Sequence, residues 1–306
     1  MIDLIIKAYK PNLKASSLKI YMTSLRKLND GNDIKNIDFL KDYDNIILKL
    51  EPKKNNTKKN YLNAIIIVLK ALHENDKLIE KYEELRDGYQ KEYNDVMASN
   101  SKTPAQQLNW ISWQQFNSMI TSVFDTVKLF EKKNVWSVEE MLEYQVYVIL
   151  NLYRVFPLRN DFHDMKVISQ REYNKNKESK DNFIIVTKGK YKLILNDFKT
   201  SAKYKQIKLD IEDKKLQSII TRFLKHNKSG YLLVNPHNPE EAINSNSLTK
   251  LLINTSLKYT GKRVSTTLIR HIWLTEKIGS QIAKQQEIAD VMGHSLEMQK
   301  AYVKLD

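Results

Sequence analysis

The sequence contains no cysteine and little glycine or proline. The absence of cysteine from all 306 residues excludes disulfide bonds, thiol nucleophiles and cysteine-ligated metal ions. Seven glycines and six prolines are few, which favours helices over a strand-and-turn architecture. No two glycines have the spacing of a dinucleotide-binding or phosphate-cradling loop, so no nucleotide cofactor is implied.

Long apolar runs and clustered metal ligands are also lacking. The most apolar stretch, AIIIVLKAL at 64–72, is far shorter than the roughly 20 residues that span a membrane. The apolar run at the start is too short for a secretion signal and lacks a small-residue cleavage site. The six histidines show no metal-ligand spacing. We therefore expect a soluble, intracellular protein with no membrane association, no metal and no cofactor.

Positive charge is the main compositional excess. Fifty Lys and Arg residues stand against 36 Asp and Glu residues, a net charge of +14. The first 100 residues carry +3 of this charge and the rest of the chain carries +11. Such a field attracts phosphate polymers, so nucleic acid is the first partner to consider. A solubility charge on a Lys- and Asn-rich protein from an AT-rich genome explains the composition equally well.

The order of apolar and polar residues predicts two mainly helical domains. Apolar residues recur at helical spacing through the first hundred residues, for example in SSLKIYMTSLRKL. The polar segment SNSKTPAQQLNW, at 99–110, contains Pro104 and suits a linker. We therefore predict domains over residues 1–102 and 103–306.

The second domain contains the only stretch with a strand-like period. The segments NFIIVT (182–187), KYKLILND (190–197) and KYKQIKLD (203–210) alternate apolar and polar residues. A Lys-Gly-Lys turn joins the first two, and FKTSA joins the second pair. The prediction is a small three-stranded antiparallel sheet within an otherwise helical domain.

Several residues of the second domain suit phosphodiester chemistry without a metal. Its transition state gathers negative charge that arginine forks stabilise, and the leaving oxygen needs a proton from lysine or histidine. A tyrosine nucleophile must also lose its own proton. Arg270 lies among apolar neighbours, where a charge needs a partner. His294 follows Gly293, and Ser295 is a natural N-cap for a helix bearing Tyr302.

Five motifs in order resemble a known family. They are PLR with Arg159, FKT with Lys199, IRH with Arg270, MGHS with His294 and AYVK with Tyr302. This order resembles the catalytic domain of tyrosine recombinases, the phage-type integrases, over residues 103–306. More loosely, residues 1–100 resemble the helical core-binding domain, a DNA-binding domain, of that family. None of the motifs is specific alone.

The resemblance implies a role for each of these residues. Arg159 and Arg270 would hold the scissile phosphate, and His294 would donate a hydrogen bond to it. Lys199 would protonate the 5′-oxygen, and Tyr302 would form a 3′-phosphotyrosine bond. Asp161 or Asp164 would orient Arg159.

One position departs from the family pattern, which has His or Lys three residues before the second arginine. Here that residue is Thr267, which cannot act as a base, although its hydroxyl could still bond the phosphate. His271 or water would then have to activate Tyr302, or catalysis would be slower. A structural role for His271 is the other interpretation.

For two of the assigned roles, a nearby residue of the same type is an alternative. Arg154 lies five positions before Arg159, and a structural pair or a phosphate contact would explain it. Lys203 is the alternative to Lys199 as the residue that protonates the 5′-oxygen. The lysines around the predicted hairpin suit contact with the DNA backbone; they are Lys188, Lys190, Lys192, Lys203 and Lys205.

Taken together, these observations predict a site-specific DNA recombinase or integrase that needs neither metal nor ATP. Four protomers would act on two double-stranded DNA sites through a Holliday junction. The composition suits a mobile element or a virus, with the protein associated with DNA in the host cytoplasm or nucleus. A type IB topoisomerase and a non-catalytic DNA-binding protein of the same fold are the alternatives.

Overall fold

The computed structural model describes residues 2–303, except for the side chains of residues 297 and 300. The chain divides into two compact units, unit 1 at residues 1–102 and unit 2 at residues 103–306. The described residues are mainly helical and include a small sheet, so the predicted fold class is confirmed in its general form.

Unit 1 is entirely helical over its described residues. A 3-10 turn at Asp38–Leu40 separates the second and third of its α-helices. The helices are α1 (Ile2–Tyr9), α2 (Ala15–Leu28), α3 (Tyr43–Leu50), α4 (Asn55–Ala71) and α5 (Asp76–Ala98).

Helix α4 is the centre of unit 1. From Tyr61 to Leu69 every residue except Asn63 is buried. A helix that is apolar on nearly all sides must be surrounded, and α1, α2 and α5 pack against it. On α5, the buried hydroxyl of Tyr82 donates a hydrogen bond to the Leu40 carbonyl at 2.9 Å. This bond joins α5 to the 3-10 turn.

Unit 2 combines helices with two small sheets. Its helices are α6 (Pro104–Asn109), α7 (Trp113–Val127), α8 (Val138–Val155), α9 (Gln170–Lys175), α10 (Ser201–Tyr204), α11 (Lys214–His226), α12 (Ser245–Thr260), α13 (Thr266–Val291) and α14 (Leu296–Tyr302). Its strands are β1 (Lys166–Ser169), β2 (Phe183–Thr187), β3 (Lys190–Leu195), β4 (Ile207–Asp210), β5 (Val234–Asn235) and β6 (Asn238–Ala242).

Helix α8 forms the core of unit 2. Ser137 and Glu140 cap its start reciprocally, and ten of its residues are buried against α7, α11, α12 and α13. The helix ends at Val155 because Pro157 follows, and a proline disfavours helical geometry in the residue before it. Phe156 is accordingly extended, with ψ of 106°.

The main sheet corrects the predicted three-stranded antiparallel arrangement. It has four strands in the order β1-β2-β3-β4, and β1 runs parallel to β2 through the crossover helix α9. The pairs β2–β3 and β3–β4 are antiparallel, as predicted. Strand β1 has only four residues, too few to show an alternation. Residues 201–204, which lie around the predicted start of the third strand, form helix α10 instead.

Helix α13 changes its surroundings along its length. Its 26 residues begin after Ser265, whose side chain accepts a hydrogen bond from the Leu268 amide. The part of the helix up to Ile272 contains most of its buried residues and packs on α7 and α8. Beyond Ile272, Ala289 is the only buried residue among those described. Most of this helix therefore runs outside the core. Within residues 2–303, no helix combines the length and apolarity needed to cross a bilayer.

Gln145 provides a stability test for the core of unit 2. This fully buried side chain donates to the Val234 carbonyl at 3.0 Å and accepts from the Val234 amide at 2.7 Å. Gln145→Ala leaves both backbone groups buried and unpaired, so we expect a loss of about 3 kcal/mol in the free energy of unfolding. Urea denaturation measures it. Gln114→Ala, at an exposed position of α7, is the control and should change stability by less than about 0.5 kcal/mol.

Candidate active site

Arg159 lies on the connection that follows α8. Residues 156–159 have no regular secondary structure, and the Arg159 side chain is exposed. The hydroxyl of Tyr153, on the last turns of α8, donates a hydrogen bond to the Arg159 carbonyl at 3.0 Å. The backbone is therefore fixed from the core side while the guanidinium faces outward.

Arg270 reaches the same connection from the start of α13. Its Nε donates to the Pro157 carbonyl at 2.8 Å, although the two residues are 113 positions apart. Trp273, one turn further along α13, donates from Nε1 to the Arg154 carbonyl at 3.1 Å. These two bonds attach α13 to the end of α8. They place Arg270 close enough to Arg159 for the two positive charges to interact.

The charges in this region favour a bound anion. The pKa of Arg270 is lowered, first by burial and then by the positive charge of Arg159. Burial raises the pKa of Asp161, although Arg159, His163 and Arg270 all oppose the rise. Two guanidinium groups thus repel each other beside one carboxylate that resists ionisation. An anion between the arginines would relieve the repulsion, and a phosphate matches their forked geometry.

Arg154 has a different environment from Arg159. Its guanidinium forms an ion pair with Asp213 at 2.8 Å, and both side chains are about one quarter exposed. It also bonds the Asn151 side chain at 3.3 Å. Arg154 therefore already has an anionic partner at the start of α11.

Asn160 was not identified from the sequence, yet it secures the connection that carries Arg159. Its Nδ2 donates to the carbonyl and hydroxyl of Ser245 and to the hydroxyl of Thr249, at 3.0, 2.8 and 2.8 Å. These partners belong to α12, 85 and 89 positions further along the chain. Nothing in the local sequence around Asn160 indicates such distant partners.

Lys199 lies in the connection between β3 and β4. It follows the buried Phe198 and precedes α10, and its side chain is exposed. Within residues 2–303 the structure gives it no ion pair or side-chain hydrogen bond. The structure places Lys199 on the surface without joining it to either arginine.

His294 and Tyr302 form a pair of their own. Gly293 adopts a positive φ of 69° after α13, and Ser295 caps α14 as predicted, by accepting from the Met298 amide. The two rings stack with centroids 5.7 Å apart and planes at 20°. Tyr302 is 65% exposed. Both imidazole nitrogens of His294 are buried and have no hydrogen-bond partner among the described residues.

The structure does not bring this pair to the two arginines. Helix α13 is continuous from Thr266 to Val291, and its rise separates Arg270 from Val291 by about 30 Å. His294 and Tyr302 therefore lie at the far end of the helix from Arg270. The five candidate residues therefore lie in three places: Arg159 with Arg270, His294 with Tyr302, and Lys199 by itself.

The supporting candidates lie near Arg270. Thr267 is exposed on the first turn of α13, and His271 is half-buried beside Arg270. The Nε2 atom of His163 lies 3.5 Å from the Oδ2 atom of Asp164, and its Nδ1 lies 2.7 Å from the Asn160 carbonyl oxygen. Across residues 2–303 no group of three or more His, Asp or Glu residues could hold a metal ion.

Of the predicted DNA-contacting lysines, Lys190 and Lys192 lie on β3, and the others lie on the two connections that flank it. Lys188 and Gly189 form the β2–β3 turn with positive φ of 47° and 77°. Lys192 pairs with Asp210 at 3.2 Å, and the Lys203 ammonium lies 5.3 Å from the centre of the Tyr204 ring. Lys188, Lys190 and Lys205 are exposed.

Comparisons with known proteins give only distant structural likeness. No family model and no curated protein matches the chain. A solved structure described as the crystal structure of XerA recombinase aligns with 100% of this chain and 93% of its own. The identity is 12% and the TM-score is 0.35, values too low for the likeness to carry an argument about function.

Asp161 should destabilise the folded protein at neutral pH. Its pKa is higher in the folded than in the unfolded protein, so folding favours the protonated carboxyl. This carboxyl therefore costs no stability below the unfolded pKa, and the cost develops as the pH rises through the folded pKa. Asp161→Asn should therefore be at least as stable as the wild type at pH 7, with the difference growing from pH 3 upward. Urea unfolding across this range measures it. If Asp161→Asn instead became less stable than the wild type as the pH rises, the attraction of the arginines would outweigh the effect of burial.

Proposed function

We propose that this chain is a DNA strand transferase of the tyrosine type, acting as a site-specific recombinase or integrase. The observation that carries the proposal is the hydrogen bond from Arg270 to the Pro157 carbonyl, which places two guanidinium groups at the same connection, since Arg159 lies two residues after Pro157. Like charges held together in a folded protein point to a site for an anion. The net charge of +14 supports a polyanion as the substrate.

In the proposed reaction, the Tyr302 oxygen attacks the scissile phosphorus and loses its proton. The bond from phosphorus to the 5′-oxygen breaks, and Lys199 gives that oxygen a proton. A 3′-phosphotyrosine bond keeps the phosphodiester energy, so a 5′-hydroxyl from the same or another strand can reverse the step without ATP. Arg159, Arg270 and His294 stabilise the negative charge on the non-bridging oxygens.

The proton of Tyr302 has no strong base as its acceptor. Thr267 stands where the resembling family has His or Lys, and its hydroxyl can only donate or accept a hydrogen bond. His271, four positions after Thr267, is a titratable alternative, and it is half-buried on the same helix. Water is the remaining acceptor.

A non-catalytic DNA-binding protein is the second candidate function. The observation in its favour is the separation of Tyr302 from the arginines along α13, together with Thr267. A topoisomerase would share the chemistry but would need only one protomer and one duplex. The recombinase would need four protomers on two duplexes, so assembly on paired sites separates these two.

Formation of a covalent adduct tests the nucleophile. We expect wild-type protein, without metal, to form an SDS-resistant adduct with duplexes that carry 5′-bridging phosphorothiolates at varied sequences. The sulfur leaving group cannot religate efficiently, so the adduct accumulates. Tyr302→Phe should lose it completely, since phenylalanine has no hydroxyl, whereas Tyr204→Phe, at another exposed tyrosine of unit 2, should keep it. Absence of an adduct on DNA that the wild type binds would favour the non-catalytic candidate.

Salt dependence tests the lysine surface. Each phosphate contact contributes about 0.9 to the slope of log affinity against log salt concentration. Replacing Lys188, Lys190 and Lys205 with glutamine should therefore lower the slope by up to about 2.7. Fluorescence anisotropy with a labelled duplex, at salt concentrations from about 50 to about 300 mM, measures this slope.

The control removes the same number of charges elsewhere in unit 2. Lys128, Lys133 and Lys166 hold ion pairs with Asp125, Glu140 and Asp181. Their replacement with glutamine should change the slope much less. Equal slopes for the two triple variants would mean that net charge, rather than the β2–β3 and β3–β4 connections, governs binding.

A further inference from the structure

The connection that carries Arg159 lacks regular secondary structure, so side-chain contacts determine its course. Two of these contacts hold its backbone: the Pro157 carbonyl accepts from Arg270, and the Arg159 carbonyl accepts from Tyr153. Both come from α13 or α8, on the side of the connection that precedes or includes Arg159. The next residue, Asn160, supplies the contact on the other side.

The half-buried side chain of Asn160 reaches α12. Its Nδ2 lies 3.0 Å from the Ser245 carbonyl oxygen and 2.8 Å from each of the Ser245 and Thr249 hydroxyl oxygens. A carbonyl can only accept, which places the amide nitrogen rather than the amide oxygen on this side. The amide oxygen accepts from the Tyr153 hydroxyl at 3.4 Å on the opposite side. Both ends of the amide are therefore used, one towards α12 and one towards α8.

The backbone of Asn160 is also fixed. Its carbonyl accepts from the His163 amide at 2.9 Å and from the His163 Nδ1 at 2.7 Å, which closes a turn. Inside this turn, Phe162 is fully buried, and its ring meets the Tyr153 ring edge-on with centroids 5.5 Å apart. Arg159 thus lies between two fixed points, while its exposed side chain has no ion pair or side-chain hydrogen bond within residues 2–303.

A neutral amide suits this position better than a carboxylate. A carboxylate in contact with Arg159 would neutralise the charge that an anion requires and would compete with that anion. The carboxylates nearby are engaged differently: burial opposes the charge of Asp161, and Asp164 lies beside His163. Asn160 holds the backbone of the connection and leaves the charge of the guanidinium unchanged.

We propose that Asn160 is a positioning residue, which sets the direction in which Arg159 presents its guanidinium to an anion beside Arg270. The inference rests on the proposed function for the identity of that anion, a DNA phosphate. Alignment matters for the rate, because a displacement of about 1 Å can slow a reaction about 100-fold. Asn160 acts on the phosphate through Arg159, with its own side chain turned to α12.

Titration with inorganic phosphate tests the positioning role without any DNA chemistry. The Arg270 Nε–H group is bonded to the Pro157 carbonyl, which protects it from exchange and makes its NMR resonance a suitable probe. We expect phosphate to shift this resonance in the wild type. In Asn160→Ala the dissociation constant should rise about tenfold, the equivalent of one misaligned charge-assisted hydrogen bond.

A double-substitution cycle shows whether Asn160 acts through Arg159. Arg159→Ala removes the group that Asn160 positions, so adding Asn160→Ala to it should leave the phosphate affinity unchanged. If Asn160→Ala weakened phosphate binding by the same factor in both backgrounds, its role would be general stability, and the positioning role would be overturned.

Asn227→Ala is the matched control for lost stability. Asn227 is also a buried amide on a connection, and its Nδ2 donates to the Tyr231 carbonyl at 2.8 Å while its Oδ1 accepts from the Ser229 hydroxyl at 2.7 Å. Both alanine variants should lower the melting temperature. Only Asn160→Ala should slow formation of the covalent adduct, by about 10- to 100-fold.

Thr249→Val is a milder variant that removes one of the three acceptors of Asn160 and keeps the size of the side chain. Because both Ser245 oxygens remain, we expect its phosphate affinity and adduct rate to lie between those of the wild type and Asn160→Ala. This variant also decides the matter if Asn160→Ala does not fold, since wild-type values for Thr249→Val would then overturn the positioning role.

The outcomes separate the positioning role from the proposed function. Weakened phosphate binding in Asn160→Ala, with no adduct from any protein, would support the positioning role and overturn the proposed chemistry. An adduct that forms at the wild-type rate in Asn160→Ala and in Thr249→Val would overturn the positioning role and leave the proposed chemistry standing. A wild-type protein that neither binds phosphate nor forms an adduct would overturn both.

Discussion

The hydrogen bond from Arg270 Nε to the Pro157 carbonyl is the contact on which the candidate site depends. It joins the start of α13 to the connection after α8, two parts of unit 2 that are far apart in sequence. Trp273 reinforces it through the Arg154 carbonyl. Because the bond uses Nε alone, the guanidinium keeps its terminal nitrogens for an anion while its backbone is fixed by the core. Arg159 lies two residues beyond Pro157, so the same bond determines its distance from Arg270.

The electrostatics of this region are unfavourable for the isolated fold and suited to a ligand. Arg159 and Arg270 repel each other, and burial works against the charge of both Arg270 and Asp161. Perturbed groups of this kind cluster at functional sites, although structural ion pairs also perturb pKa values. Arg154 shows the difference, since Asp213 neutralises it directly. For Arg159 and Arg270 the nearby carboxylate is Asp161, whose own charge is opposed by burial.

Much of the helical architecture was predictable, because helical periodicity and caps are local. Ser295 caps α14 as expected, and the β2–β3 hairpin follows from two alternating segments around Lys188 and Gly189. The parallel strand β1 was not predictable, since four residues cannot show a period and its pairing depends on a crossover helix. The alternation in KYKQIKLD was misleading at its start, where α10 forms, because lysine and tyrosine are compatible with either structure.

The local sequence indicated the kind of element that carries each candidate side chain. It indicated a helix around Arg270, a turn at His294 and a capped helix for Tyr302, all through interactions within a few residues. Which of these side chains lie near one another depends on the packing of distant segments. Arg159 and Arg270 interact because Arg270 bonds the Pro157 carbonyl and α13 packs on α8, contacts between distant segments that no local pattern encodes. His294 and Tyr302 lie apart from them because α13 continues through Gly279, where the helical preference of glycine and alanine differs by only about 1 kcal/mol.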